Sequence, residues 1–367
     1  MSTEHATTRT HVWRQEPARE VCVCAIGART PLGLSAAASA AAVRGGLSAV
    51  AMHPFLIDKA GAPMRVALDA AMDADAPIGL RMWSMLEPAV VEALGDGVPQ
   101  RLRCFIALPA SRPGLPESIG QMLAESVAHS FALDRSRIAL LEHGHASALM
   151  ALRLAARDIA SGACDVCLVA GVDSYHCAET LEWLDREGSL ISGQNRNGFP
   201  PGEGAGACLL ATRSFAERGG LPILATVMAV ATATEPHPIR CGRVCVGEGL
   251  SAAVRAAIGG SCVDGRLVTA TYCDINGERY RNEELLYTML RTQEAFVDAH
   301  DYECPACCWG DMGAASGVLF AVLAICAGQR GYEKGPTPLL WASSDDGYRA
   351  AAVLGLDADA RRPRWSV

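Results

Sequence analysis

Gly144-His-Ala-Ser-Ala-Leu-Met-Ala-Leu-Arg-Leu-Ala155 and Gly313-Ala-Ala-Ser-Gly-Val-Leu-Phe-Ala-Val-Leu-Ala324 are two versions of one segment. Gly, Ala and Ser coincide in register, and the apolar positions that follow agree along a helical stretch. One helix type, opened by one tight Gly turn, thus recurs about 170 residues on, which is the signature of a duplicated unit. Around the first copy the chain reads as strand Arg103–Leu108, helix Ser118–Phe131 and strand Arg137–Leu141. The turn Glu142-His-Gly-His145 follows, then the repeated helix over Ala146–Ile159, a stop at Ser161-Gly162, and strand Asp165–Ala170. Nearer the N-terminus, Val21–Ile26 reads as a buried strand, Gly27–Gly33 as a turn and Ser35–Val43 as an Ala-rich helix. Strands alternating with helices of roughly 10–15 residues predict βαβ units around a sheet covered on both faces.

The chain has 367 residues, of which half are apolar, and a net charge of −8. That is enough for one large α/β domain or two ordinary ones, and the acidic balance gives no general attraction to nucleic acid or an anionic membrane. Fifteen cysteines at irregular spacing, without a secretory segment, read as reduced thiols of a cytoplasmic protein. Residues 1–20, polar and mixed in charge, are expected to form a flexible tail. The duplication then divides the chain into an N-terminal half, 21–216, and a C-terminal half, 217–367, at the polar Glu217-Arg-Gly-Gly220. Met312–Ala327 is nearly uniformly apolar but short of the ~18 residues of a membrane span, so a buried central helix is expected. Val50–Gln100 carries no landmark.

Four segments together resemble the β-ketoacyl synthase family: residues 24–46 with Gly27-Ala-Arg-Thr-Pro-Leu-Gly33, residues 145–175, the Gly202-Glu-Gly-Ala-Gly206 hairpin within 199–212, and Trp309-Gly-Asp-Met-Gly-Ala-Ala-Ser316. Their order and spacing follow the family from about residue 20 to 355. The resemblance implies a thiolase fold, with two βαβαβαββ halves in a five-layered α/β/α/β/α core and a homo- or heterodimer. Ketosynthases hold the acyl chain as a thioester on a cysteine at a helix start, and two histidines assist decarboxylation of malonyl-carrier protein. Laid motif on motif, the cysteine falls on His145, the first histidine on Asn276 and the second on Gly310. The family's lysine falls near Pro305, and its C-terminal Gly-Phe-Gly-Gly loop is replaced by Ala342–Tyr348. The resemblance therefore implies a protein without the triad, acting by protein binding. Two forms are open: an adaptor or chaperone-like accessory, similar to thiolase-like proteins found with type VI secretion effectors, or a chain-length-factor-like subunit. The expected partner is an effector, a carrier protein or a ketosynthase subunit. The alternative is an acyl-thioester hydrolase or acyltransferase centred on His145, with Asn276 as oxyanion donor and His143 and Cys273 as further candidates.

Other motifs weigh less. Pro200-Pro-Gly-Glu-Gly-Ala-Gly206 lacks the Gly-Lys-Ser/Thr ending of a phosphate loop, and no cofactor is expected. Cys164-x-x-Cys167 and Cys304-x-x-Cys307-Cys308 have zinc-like spacing. A strand sends residues three apart to opposite faces, and the two sets fall in distant parts of the family architecture, so no metal site is expected. Cys273, Cys307 and Cys308 fall near the position of the family's active site, either as inert core residues or as a substitute thiol. The polar segment Asp274–Glu284 reads either as a rebuilt catalytic loop or as a surface loop facing a partner, and Asp345-Asp346 as a solvated tip.

Overall fold

The computed structural model describes residues 8–357 apart from 17–18, 96, 240 and 262–266. The first half runs β1 (Thr10–Arg14), β2 (Val21–Arg29), α1 (Ala36–Arg44), β3 (Val50–Ile57), β4 (Pro63–Ala67), α2 (Ile78–Leu94), β5 (Arg103–Ala107), α3 (Ile119–Ser130), β6 (Ile138–Leu141), α4 (Ser147–Ala160), β7 (Val166–Ser174), α5 (Ala178–Arg186) and β8 (Glu203–Thr212). After the short α6 (Arg213–Gly219) come β9 (Ala225–Thr234), α7 (Glu248–Ser261), β10 (Ala270–Cys273), α8 (Arg279–Thr292), β11 (Tyr302–Glu303), α9 (Ala306–Trp309), α10 (Ser316–Arg330), β12 (Pro338–Ser343) and β13 (Tyr348–Leu356). The expected division at 216/217 falls inside α6, whose C-cap Gly220 is left-handed.

The duplication is explicit in the strand order. One half pairs β2-β8-β7-β5-β6 and the other β9-β13-β12-β10-β11. In each, the first three strands are antiparallel neighbours and the last three parallel. Two residue pairs, Cys22 with Thr226 and Val23 with Ala225, join the sheets at one corner. Helices α4 and α10 lie between the sheets, where Leu149, Leu152, Val318 and Phe320 pack against strands of both halves. Helices α2 and α3 cover the outer face of the first sheet, and α7 and α8 that of the second. This gives the five expected layers. Every residue of β7 is buried, because Cys167 and Val169 face the middle layer while Val166, Leu168 and Ala170 face the outer one. Among the described residues, Gly313–Arg330 is long and apolar enough to cross a membrane, and 89% of it is buried inside the fold.

One expectation is corrected. Residues 10–14 of the supposed flexible tail form β1, which pairs antiparallel with β9 through five residues from Thr10 with Ala233 to Arg14 with Ala229. The unpaired edge of β9 satisfies the backbone of this polar segment, so an apolar stretch is not needed to order it. Residues 1–7 lie outside the described residues. The landmark-free stretch 50–100 holds the β3–β4 hairpin and the 17-residue α2, whose Met82, Met85, Leu86 and Ala89 seat it on the first sheet.

Candidate functional site

Both copies of the repeat begin with glycine for one reason. Gly144 (φ +73°) and Gly313 (φ +47°) adopt left-handed backbone that a side chain disfavours. Each leads into a single 3-10 turn ahead of its helix, α4 or α10. A Cβ on Gly313 would also collide with the Asp173 carboxylate. The two turns meet at the centre of the molecule, bringing His145 of the first against Asp311, two residues ahead of the second.

His145 Nε2 lies 2.8 and 3.0 Å from the two carboxylate oxygens of Asp311. Asp311 Oδ1 also accepts from Gly313 N–H at 2.7 Å and from the Tyr175 hydroxyl at 3.4 Å, and Oδ2 accepts from Asn276 Nδ2 at 2.6 Å. The Asp311 backbone is pinned to the Gly-rich hairpin, its N–H donating to Pro200 O at 2.8 Å and its carbonyl accepting from Gly202 N–H at 2.9 Å. Glu203 in that hairpin is structural, held by Arg81 at 2.6 Å and by Ser174 at 2.8 Å.

Arg281 of α8 completes the cluster. It donates from Nε to Glu278 at 3.0 Å, and from Nη1 to Asp274 at 2.5 Å and to Ser343 O at 2.8 Å. Its Nη2 lies 3.4 Å from His145 Nε2 and 3.5 Å from Nδ1. His145, Asp274, Asn276, Glu278, Arg281 and Asp311 are all buried. Burial pulls the His145 imidazole toward neutrality, but the Asp311 carboxylate outweighs it and Arg281, so the pKa is raised. Burial likewise works against the Asp311 anion, yet His145, Arg281 and Asn276 hold it well below the usual carboxylate range. Burial pushes Asp274 and Glu278 upward against the pull of Arg281. Three buried acids thus face two cations, and Arg281 also reaches the exposed Asp345 at 3.5 Å.

A cleft of about 150 Å³ opens over the cluster, with Arg112, His143, His145, Tyr175, Phe199 and Asp345 in its wall. The Arg112 guanidinium lies 4.2 Å from the Tyr175 ring centroid and bonds Asp173 at 2.6 Å. At the mouth, His143 Nδ1 meets Asp346 at 3.0 Å and its ring lies 4.4 Å from that of Tyr348.

Residues 111–216 match the family profile of the β-ketoacyl synthase N-terminal domain. Solved structures extend the likeness over the chain. The ketosynthase from module 6 of the bacillaene synthase from Bacillus subtilis 168 has a TM-score of 0.76 at 15% identity, covering 92% of this chain and 72% of its own. The chain has the fold of the ketosynthases and resembles their N-terminal domain in sequence over residues 111–216. A chain of the ishigamide ketosynthase/chain length factor gives a TM-score of 0.75 at 15% identity, covering 92% of this chain and 99% of that one. A chain from a type II PKS acyl-carrier protein in complex with its ketosynthase bound to the hexaketide gives 0.76 at 15% identity, with 92% and 99% covered. Among curated proteins, none matches in sequence.

In this ketosynthase-like chain the residues singled out from sequence separate. His145 and Asn276 converge on one carboxylate. Gly310 does not join them. It is a turn residue (φ +76°) packed against Ala67, Pro200 and Gly202, and the side chain that reaches His145 belongs to the next residue, Asp311. Counting back from Gly313 without a gap lands on Gly310, whereas the left-handed turn directs Asp311 inward. Cys273 is buried at the end of β10, with Sγ donating to Glu303 O at 3.5 Å, and burial pushes its thiol up. It does not line the cleft. The surface reading of Asp274–Glu284 fails for Asp274, Asn276, Glu278, Arg281 and Glu284, which are buried. Asp345 and Asp346 are exposed but tied to the site, Asp345 accepting from the Tyr280 hydroxyl at 3.1 Å.

Asp311 and Arg281 escaped the sequence reading. The available signals were a lone acid inside the apolar Trp309–Met312 run and the Glu278/Arg281 spacing of one helical turn. Cys164 and Cys167 do not point to opposite faces, because Cys164 falls in the turn before β7, and their sulfurs lie 3.2 Å apart. Among the described residues, Glu235, Cys245 and Glu284 form a buried group close enough to share an ion. Glu284 is already bonded by Arg349 at 2.6 Å and Ser343 at 2.7 Å, and the Arg349 cation opposes a second positive charge there.

Proposed function

We propose that this ketosynthase-like protein does not condense acyl chains and acts by binding another protein, as a cytoplasmic adaptor or chaperone-like accessory of the type VI effector-associated kind. The observation that carries this reading is the closed ion cluster at the start of α4, where the resemblance expects the acyl-bearing cysteine. A thioester needs a thiolate, and among the described residues no cysteine lines the cleft. At about 150 Å³ the cleft is also smaller than the roughly 300–1,000 Å³ of small-molecule pockets. A binding role is supported by the β3–β4 hairpin, where Met52, Phe55 and Ile57 are 67, 77 and 61% exposed, since grouped exposed apolar side chains mark contact surfaces. The relatives suggest the partner class: one is a ketosynthase bound to its acyl-carrier protein and another a ketosynthase/chain length factor. A chain-length-factor-like subunit is therefore the other form of the same reading.

The hydrolase reading draws on the His145–Asp311 pair, which has the partners of a base and its orienting carboxylate. Against it, Nε2 is spent on Asp311, whose carboxylate favours the already protonated ring, and Arg281 flanks that ring, so His145 is poorly placed to serve as a base. Asn276 donates to Asp311 and Glu278 and has no donor left for an oxyanion. The deciding experiment is intact-mass spectrometry after incubation with malonyl- and acyl-carrier protein, followed by thioester turnover against His145→Ala. No adduct and no turnover above the variant are expected. Covalent acylation, decarboxylation or His145-dependent turnover would refute the binding reading.

A further inference from the structure

Cys304-Pro-Ala-Cys307-Cys308 lies directly ahead of the Gly310–Asp311 turn and does not line the cleft. Cys304 Sγ and Cys307 Sγ are 3.6 Å apart, so an S–S bond of about 2.05 Å requires only about 1.5 Å of further approach. Cys307 is exposed and Cys304 half-buried, the division of labour of an attacking thiol and a resolving one. We propose that Cys304 and Cys307 form a reversible thiol–disulfide site that exchanges with small-molecule disulfides. The Cys307 thiolate attacks one sulfur of R–S–S–R, that bond breaks, RS⁻ leaves and a mixed disulfide remains on Cys307. Cys304 gives its proton to solvent and attacks the Cys307 sulfur, expelling the second RS⁻. The cysteine pair is oxidised by two electrons and the small disulfide is reduced to two thiols.

The surroundings favour this order. Hydrogen bonding from the Cys304 thiol outweighs burial and, with the Cys307 N–H and Cys308, brings Cys307 down to about 6, which favours its thiolate. Two neighbours work the other way. The Cys304 carbonyl oxygen lies 2.7 Å from Cys307 Sγ, and the Glu303 carboxylate is near, although Lys334 bonds that carboxylate at 2.8 Å. The Cys164–Cys167 pair is the internal comparison. Its sulfurs are closer, at 3.2 Å, but Cys167 is fully buried and its thiol is pushed far up by Cys164 and burial. The exposed pair is therefore the one an incoming disulfide reaches.

The test is to incubate the full chain in mixtures of oxidised and reduced glutathione, block remaining thiols by alkylation, and map peptides. A Cys304–Cys307 link is expected to form faster than any Cys164–Cys167 link, because its thiols are the accessible ones. Cys304→Ser should trap one glutathione on Cys307, whereas Cys307→Ser should trap none on Cys304. The alkylation rate of Cys307 should reach half its maximum near pH 6, where its thiolate is half formed. The proposal is overturned if both cysteines stay alkylatable in oxidised glutathione, or if wild-type Cys307 holds a glutathione that Cys304 never displaces. Neither result depends on the acyl-transfer experiment.

Discussion

His145 and Asp311 are each buried with a charge that neither could keep alone. The Asp311 carboxylate accepts from four donors, of which only His145 can change its protonation over ordinary pH. Because the folded-state pKa of His145 is raised, the stability it contributes is complete below its unfolded value of ~6.5 and is lost as pH rises through the raised value. Because that of Asp311 is depressed, its contribution is present above its unfolded value of ~3.9 and is lost as pH falls through the depressed value. The pair is worth most between those limits. Asp311→Asn should therefore destabilise the protein by about 3–5 kcal/mol near pH 5.5, since it leaves a buried imidazolium beside Arg281 without its counter-charge. The loss should shrink at pH 9, where a neutral imidazole can donate to the asparagine oxygen. Urea midpoints of both proteins at the two pH values measure this, and an equal loss at each would mean that His145 is neutral throughout.

The elements that set the site in place are the two central helices and the glycines beneath them. Gly206 on β8 and Gly171 on β7 let α10 approach the first sheet closely. A Cβ at Gly206 would lie 2.9 Å from Val318 Cγ1, and one at Gly171 would lie 2.9 Å from Ala314 O. Because α10 begins five residues beyond Asp311, any displacement of its first turn is felt at the cluster. Gly206→Val should cost about 1–3 kcal/mol through overpacking of the middle layer. It should also weaken the His145–Asp311 contact, seen as a fall in the His145 pKa by NMR titration. A stability loss with an unchanged His145 titration would show that the layer repacks without reaching the site.

At the scale of the whole molecule, two matched halves bury the chemistry, and the first half carries additions without counterparts in the second: α1, the β3–β4 hairpin and α5. The hairpin exposes Phe55 and Ile57, so the double change Phe55→Ser, Ile57→Ser should leave the thermal midpoint nearly unchanged, within about 0.5 kcal/mol of stability. The same variant should lose binding to any partner captured by the wild-type protein. Retained binding would move the partner surface elsewhere on the molecule.

The sequence by itself determined the duplication, the layered α/β class and the central position of His145 and Asn276. Those features rest on local periodicity, on glycine at two left-handed turns and on repetition, all of which are written into short stretches of chain. Pairing with a sheet edge was not legible in residues 10–14, because β1 owes its order to open backbone groups of β9 more than 200 residues away. The same holds at the site. Asp311 meets His145 across 166 residues, and the turn at Gly310, rather than any motif, decides that Asp311 is the residue to do so. Arg281 becomes a site residue only because α8 lies over the ends of β10 and β12, where Asp274 and the Ser343 carbonyl fix its guanidinium. Local pattern specifies which faces are buried, but which buried charges neutralise one another is set by tertiary packing, since the Coulomb and desolvation terms depend on distances that no spacing along the chain encodes.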